Sequence, residues 1–440
     1  MAEPRLVIAS NRVPPPSTGT ARSVGGLVSA LQPALEERGG LWFGWSGATA
    51  EASAPRRRIE GHVEYVTIDL DTHEVEAYYE GFCNRALWPL LHGLADRAQI
   101  DADEYRSWIE VTGRFADALA SELTSGDLVW VHDYHLIALG RALRQRGWAG
   151  KLGYFHHVPV PLEAAWRQIP EVDAIAASFE AYDLIGVQTQ RDAARLVSYV
   201  SAGVRDRIRA FPIGIDPERV RALARAHPAD PFEVRGRRQV LLGLDRLDYS
   251  KGIPDRLLAF EELLRRTPRI AAEALLVQWA APSRESITDY QLERQRVEAA
   301  VERLDALATP SPVAFDFSVL PAEVVAAALR DADVCLVTSL ADGMNLVAKE
   351  FVAAQREEDP GVLVLTDGCG AAEELTEALI VPSGDRAALS DAMGQALRLG
   401  VRERRERWEA LSRKVERGNV EVWCARFLEA LEATSARTAS

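Results

Sequence analysis

Short apolar runs alternate along this chain with longer stretches whose apolar residues recur at helical spacing. "RLVIAS" (5–10), "LVWVHD" (128–133), "LGYFHHV" (152–158), "LIGVQT" (184–189) and "RAFPIGI" (209–215) read as strands in the first half. "QVLLGLD" (239–245), "ALLVQWA" (274–280), "VAFDFSV" (313–319), "VCLVTS" (334–339) and "GVLVLT" (361–366) follow in the second. Continuous apolar runs, rather than alternating ones, imply strands buried on both faces, hence parallel sheets covered by helices. So many strands exceed one comfortable sheet, which predicts an α/β protein of two doubly wound domains. The seam falls near residue 216, where a polar stretch (218–238) follows "PIGIDPERV". The expected division is 1–216, 217–405 and a helical segment 406–440, broken near Gly418–Asn419, whose last helix packs back on the first domain and whose tail "TSARTAS" frays. In such folds ligands bind outside the carboxyl ends of the strands, so functional residues should follow strands directly.

Composition narrows the class. Apolar residues make up 48% and charged residues 26% of the 440, the balance of a globular chain. A net charge of −14 argues against nucleic acid as partner, though one cleft can still be basic. Cys83, Cys335, Cys369 and Cys424 are far apart and form no C-x-x-C pair, which suggests reduced thiols rather than a disulfide framework or zinc site. The first apolar run is too short for a signal peptide, and no run approaches the roughly 18 residues of a membrane span. The expected setting is the cytoplasm.

The strand ends carry the candidate chemistry. "SNR" places Arg12 after the first strand, and "SVGGLVSAL" opens a helix with Gly25-Gly26, where backbone N–H groups can approach an anion. Diglycine at a helix start is also ordinary turn chemistry. "WVHDYHL" leaves Asp133 past a strand, and "FHHVPVP" does the same for His156 and His157. His132 and His135 flank a strand end rather than share a helix face, and no H-E-x-x-H set completes a site, so no metal is expected. "LDRLDYSKG" brings Arg246 and Lys251 to a helix start, a pairing suited to a diphosphate, and "QWAAPSRE" places Arg284 after another strand. Helix-entry salt bridges would account for the same residues. In "LADGMNLVAKE" (340–350) a turn leaves a buried strand and a helix begins at once. That helix end can hold a pyrophosphate, with Asp342 accepting from sugar hydroxyls and Glu350, two turns on, from a ribose pair. A plain helix cap at Asp342 is the alternative. The chemistry implied is the handling of a nucleotide-linked sugar.

These motifs resemble the trehalose-6-phosphate synthase family. "SNR", "GGLWFGWSG", "YYEGFCNRALWPLLH", "WVHDYHL", "RLDYSKGIPDR", "DGMNLVAKEFVAAQ" and "GVLVLTDGCGAAEEL" match it in order, over about residues 5–430. The resemblance implies a GT-B fold, two Rossmann-like domains facing across a cleft, and retaining transfer of glucose from UDP-glucose or GDP-glucose to glucose 6-phosphate. It implies that Arg246 and Lys251 bind the diphosphate, Glu350 the ribose, and the main chain around Leu320 and Val325 the base. Asp342 and the stretch Gly343, Met344, Asn345, Leu346 and Val347 would hold the transferred glucose, with His157 on its far side and Gly26 as a backbone contact. Arg12, Tyr79, Trp88, Asp133 and Arg284 would take the acceptor. Front-face displacement without an enzyme nucleophile is the implied mechanism; no cofactor is required, and a divalent metal is left open. Dimers or tetramers are common in the family, but the sequence marks no interface.

The acceptor half departs from the family pattern. Where "H-x-P-F-P-[ST]-x-E" is usual, this chain has "HVPVPLEA", with Val160, Leu162 and Ala164 at the altered positions. Gly113 stands near a usual Asn, and the segment from "GVQT" to "FPIGIDP" is short by about a hairpin's length. Glucosylglycerol-phosphate synthesis, with glycerol 3-phosphate as acceptor, and a catalytically silent sugar-phosphate sensor therefore stay open as alternatives. The cyclitol-joining pseudo-glycosyltransferases fit less well, since "DGMN" and "RLDYSKG" are intact.

Overall fold

Among the residues described by this computed structural model (4–16, 26–51, 54–227, 229–232, 236 and 238–435), the strands form one sheet of eight and one of six. Chain contacts divide the protein into two compact units. One runs to Ile213 and regains the chain from Glu421; the other spans Gly214–Val420.

The N-terminal unit holds β1 (Leu6–Arg12), β2 (Gly40–Thr49), β3 (Arg56–Glu60), β4 (Val63–Leu70), β5 (Leu128–His132), β6 (Lys151–Phe155), β7 (Leu184–Val187) and β8 (Ile208–Ala210). Their spatial order is β3-β4-β2-β1-β5-β6-β7-β8. All neighbours run parallel except β3, which pairs antiparallel with β4 at the edge. Every side chain of β5 is buried, as its unbroken apolar sequence requires. β2 carries glycines within its core sequence, so its pattern does not announce a strand. Gly44 is needed there, because a Cβ would meet the Ser10 carbonyl oxygen of β1 at 2.1 Å. The expected strand at 209–215 shrinks to three residues, since Pro212 has no N–H to continue the ladder. The helix Val420–Glu432 covers this sheet, with Phe427 stacked on Trp130 at 4.3 Å between ring centroids.

In the C-terminal unit the order is β11-β10-β9-β12-β13-β14, all parallel. The ranges are β9 (Gln239–Arg246), β10 (Ala274–Ala281), β11 (Val313–Asp316), β12 (Val334–Val337), β13 (Val362–Thr366) and β14 (Leu379–Val381). The expected strand 313–319 stops at Asp316, whose carboxylate turns back to accept from the Ser318 amide at 2.9 Å. β14, three residues long, is too short for a hydrophobic pattern to reveal. The helices Val401–Arg417 and Val420–Glu432 part at Gly418–Asn419. No described helix is long and apolar enough to cross a membrane. All four cysteines are buried free thiols.

Candidate active site

In the C-terminal unit the chain leaves β9 at exposed Arg246 and reaches Asp248, whose carboxylate accepts from the Ser250 amide at 3.0 Å to start the tight turn Tyr249–Lys251. Gly252 then takes φ +65°, and a Cβ there would lie 2.5 Å from the Thr338 carbonyl oxygen. Glycine alone lets the helix Ile253–Arg266 begin directly behind Lys251. The Lys251 ammonium lies 2.6 Å from Asp342 Oδ2. Burial works most strongly against its charge, but Asp342, by charge and hydrogen bond, and Asp248 together overcome burial and the opposing Arg246 and leave the lysine pKa raised. The same carboxylate oxygen accepts from Asn345 Nδ2 at 3.1 Å and Ser339 Oγ at 3.2 Å.

Asn345 adopts φ +70°, an uncommon conformation for a residue with a side chain, and from it the helix Leu346–Ala354 starts. No side chain caps the first turn of that helix, and Asn345 Oδ1 is buried without a hydrogen-bond partner. An uncapped helix start beside two cations has the electrostatic form of a phosphate site. The loop is held by backbone bonds, Leu340 N–H to the Ser250 carbonyl (2.7 Å) and Asp342 N–H to that of Gly368 (3.0 Å). Gly343 and Met344 lie in this loop, and Leu346 and Val347 are the first two helical residues. Glu350 follows in the next turn, its carboxyl pKa raised by burial against the opposing pull of Arg219.

Leu320 precedes the helix Ala322–Asp331, and the Val325 amide is already engaged with the Pro321 carbonyl at 3.1 Å. Arg284, at φ +48°, turns toward Asp248 Oδ2 (3.3 Å) and the Tyr290 hydroxyl. Below the loops, fully buried Arg256 joins Asp245 Oδ2 (2.6 Å), Gln278 Oε1 (2.6 Å) and Thr338 Oγ1 (3.0 Å). That brace ties β9, β10 and β12 together; its Asp245–Arg256 pair is a helix-entry salt bridge of the kind the sequence suggested, while Gln278 and Thr338 were not foreseen.

In the N-terminal unit Ser10 pairs with His132 and His132 with Phe155, so β1, β5 and β6 end side by side. Asp133, just past β5, sits at φ +73°, and its Oδ1 accepts from the His157 amide at 3.2 Å. Arg12 is exposed, its guanidinium 4.5 Å from the ring centre of Trp45 and 5.6 Å from that of Tyr79. Tyr79 stands on a π-helix (Val75–Leu87), a form that recurs at functional sites, and Trp88 follows it directly. Buried Asn84 fixes this segment by donating to the Tyr79 carbonyl (2.6 Å) and accepting from the Tyr134 hydroxyl (3.0 Å). Trp88 lies 5.8 Å from Tyr134, and Tyr79 stacks on His135 at 6.0 Å. Trp45, His135 and Asn84 are thus part of the wall; all three lie inside the family-like motifs, but none was singled out as a binding residue. His157 meets His132 ring to ring, Nε2 to Nδ1, at 3.0 Å. Burial, with His156 adding to it, depresses the His157 pKa to about 3, and burial depresses that of His156 to about 4. Gly26 opens the helix Gly26–Arg38, while Gly25 and the loop before it lie outside the described residues. Among the described residues no group of His, Cys, Asp and Glu is arranged to hold a metal ion.

The model of glycosyltransferase family 20 matches residues 5–433. The chain is 34% identical over 459 residues to the trehalose-6-phosphate synthase of Salmonella arizonae, covering 99% of this chain and 96% of that one. The chain belongs to glycosyltransferase family 20. A UDP-forming alpha,alpha-trehalose-phosphate synthase from Burkholderia xenovorans, crystallised in complex with glucose-6-phosphate, superposes with a TM-score of 0.92 at 34% identity, over 98% of this chain and 100% of that one. The Escherichia coli protein bound with UDP-2-fluoro glucose gives 0.93 at 33% over the same shares. The architecture is the GT-B fold, two mostly parallel sheets flanked by helices.

The departures from the usual family 20 pattern fall in two settings. Val160 is buried and its amide donates to Asp192 Oδ1 at 2.9 Å, so an aliphatic residue fills a core position. Leu162 is 65% exposed and Ala164 is exposed as well, on the short helix Glu163–Trp166. Gly113 lies within the helix Ala102–Ala120, its carbonyl accepting from Arg146 Nη2 at 3.0 Å. The shortened segment passes from the helix Gln190–Tyr199 through the turn Ala202–Arg207 straight into β8.

Proposed function

We propose that this protein is a trehalose-6-phosphate synthase, transferring glucose from a nucleotide sugar to glucose 6-phosphate with retention of configuration. The observation that carries the reading is the joining of Lys251, Asp342 and Asn345 at an uncapped helix start, in a chain of family 20 related end to end to synthases. Relatives described as UDP-forming favour UDP-glucose over GDP-glucose as the sugar donor. The relative holding glucose-6-phosphate favours that acceptor over glycerol 3-phosphate.

In this reading Arg246, Lys251 and the amides of the Leu346 helix take the diphosphate, Glu350 the ribose, and Asp342 with Gly343–Val347 the glucose. The main chain near Leu320 and Val325 reads the base, and Gly26 adds a backbone contact. Arg12 and Arg284 bind the acceptor phosphate, Tyr79 and Trp88 frame its ring, Asp133 orients its hydroxyls, and His157 lies against the transferred glucose. The bond from the anomeric carbon to the diphosphate oxygen breaks, and the acceptor oxygen forms its bond on the same face. The acceptor proton passes to the departing phosphate oxygen. Charge grows on the diphosphate as it leaves, and the two cations with the helix dipole stabilise it, commonly the largest catalytic contribution. These groups leave the scheme without need of a metal or other cofactor. The buried free thiols suit a cytoplasmic setting.

The test is nucleotide release with UDP-glucose and GDP-glucose, each offered glucose 6-phosphate or glycerol 3-phosphate. Fast release of UDP with glucose 6-phosphate is expected. Release with glycerol 3-phosphate alone would move the assignment to glucosylglycerol-phosphate synthesis, and release with neither would leave a sensor.

A further inference from the structure

The pair His157 and His132 raises a question of protons. Both rings are held neutral by burial, so each carries a single ring hydrogen, and their contact at 3.0 Å requires one nitrogen to donate and the other to accept. The pair alone does not decide which. Gln188, one residue beyond β7 and 1% exposed, does. Its Oε1 accepts from the buried Ile213 amide at 3.0 Å, which leaves its Nε2 facing His157 Nδ1 at 3.4 Å. An amide nitrogen can only donate. His157 Nδ1 must therefore be the bare, accepting nitrogen, and the ring hydrogen sits on Nε2, where it is given to His132 Nδ1. The reverse arrangement would set two donors against each other at Gln188, or turn its amide and set its NH2 against the buried Ile213 N–H instead. Nε2 of His132 has no partner in either arrangement, carrying its ring hydrogen in the first and bare in the second, and the contact that favours the first is the one at Gln188.

We propose that Gln188 is a positioning residue that fixes His157 as the Nε2–H tautomer, with His132 holding that hydrogen until a sugar oxygen takes its place. The link to the sugar rests on the function proposed above; the tautomer does not. His157 then offers the transferred glucose a neutral hydrogen-bond donor rather than an acceptor or a cation, which suits a hydroxyl oxygen beside a centre that becomes electron-poor. Its amide, bonded to Asp133, holds the ring at the strand end.

The experiment is 15N NMR of the full-length protein labelled at histidine, with the His157 ring assigned through His157→Asn. The wild type is expected to show His157 neutral and protonated at Nε2. Gln188→Glu keeps the shape and can still accept from Ile213, but it presents an acceptor to Nδ1, so the hydrogen should move to Nδ1 or the ring become charged. Gln188→Leu should leave a mixture of tautomers. In Gln188→Glu the KM for the nucleotide sugar should rise by between about threefold and tenfold, the worth of one neutral hydrogen bond, with the acceptor KM unmoved. An Nδ1–H ring in the wild type, or a tautomer indifferent to Gln188→Glu, overturns the proposal. A switched tautomer with an unmoved nucleotide-sugar KM overturns the positioning role. Absence of turnover in the wild type would instead sink the synthase reading, and the NMR result would still decide the tautomer.

Discussion

Lys251 and His157 both follow the carboxyl ends of parallel strands, both are largely buried, and the protein treats their charges in opposite ways. Lys251 has a carboxylate at 2.6 Å and keeps its proton more firmly than in water. His157 faces another imidazole and an amide, and burial drives it neutral. The difference extends to their surroundings. The C-terminal unit gathers matched charges, Lys251 with Asp342 and Arg256 with Asp245, around a helix start. The N-terminal unit builds its wall from rings, with Arg12 laid over Trp45 and Tyr79. Burial sets the cost of a charge, and the partner decides whether the charge survives.

The contrast predicts where each half breaks. Arg256→Ala should do the greatest damage to the fold, costing about 3–5 kcal/mol in urea unfolding, because buried Asp245 loses its counter-charge. A loss below about 1 kcal/mol would show that the buried network is not what holds the C-terminal loops in place. Lys251→Ala should lower kcat for nucleotide release by about 10²–10³, as removal of a group that stabilises developing charge does. It should also cost stability, less than Arg256→Ala, because Asp342, left without its counter-charge, is partly exposed. Near-normal turnover would refute its assigned role. Arg12→Ala should raise the KM for glucose 6-phosphate by about tenfold to a hundredfold, a charged hydrogen bond's worth, and leave the nucleotide-sugar KM alone. Equal rises in both would erase the division of labour.

Acid should find the N-terminal unit first. Seven of the eight histidines lie before Gly214, only His227 after it. Buried His156 has its pKa lowered to about 4, so between that value and the unfolded one near 6.5 the unfolded chain binds more protons. Stability therefore falls as pH drops, by about 2 kcal/mol for His156 alone between pH 7 and 5. His156→Gln should flatten that slope; an unchanged slope would place the acid sensitivity elsewhere. The smallest effect concerns the family departures. Leu162 is exposed at the start of Glu163–Trp166 and offers no capping oxygen, so Leu162→Ser should add about 0.5–1 kcal/mol. An unchanged acceptor KM in that variant would show that the departure lies outside the acceptor's reach.

Strand positions were legible wherever both faces are buried, because an unbroken apolar run has no other stable home. β5, β9 and β13 begin within one residue of where the pattern starts them. β2 escaped notice because its glycines serve close packing against β1 and dilute the apolar signal. β3 escaped because its edge sequence, RRRIE, is polar, and β4 because Glu64, Thr67 and Asp69 interrupt its apolar residues. Among site residues, Lys251, Asp342 and Asn345 stand in short loops between a strand and a helix, where local chain geometry puts functional groups at a strand's end. Trp45, His135, Asn84 and Gln188 carry no local signature, since each matters through a partner far along the chain.

The order of apolar runs and helical stretches by itself determined an α/β protein with two sheets, and strand–turn–helix grammar marked which residues follow strand ends. Those are properties of consecutive residues, set by backbone geometry and the burial of nearby side chains. Only the tertiary structure decided which strand ends adjoin, and with that which charges are matched. It alone set Lys251 against Asp342, 91 residues away, and His157 against both His132 and Gln188, the last 31 residues off. The protonation of Lys251 and His157 depends on those neighbours, because at close range and low polarity the partner, not the residue type, fixes the charge.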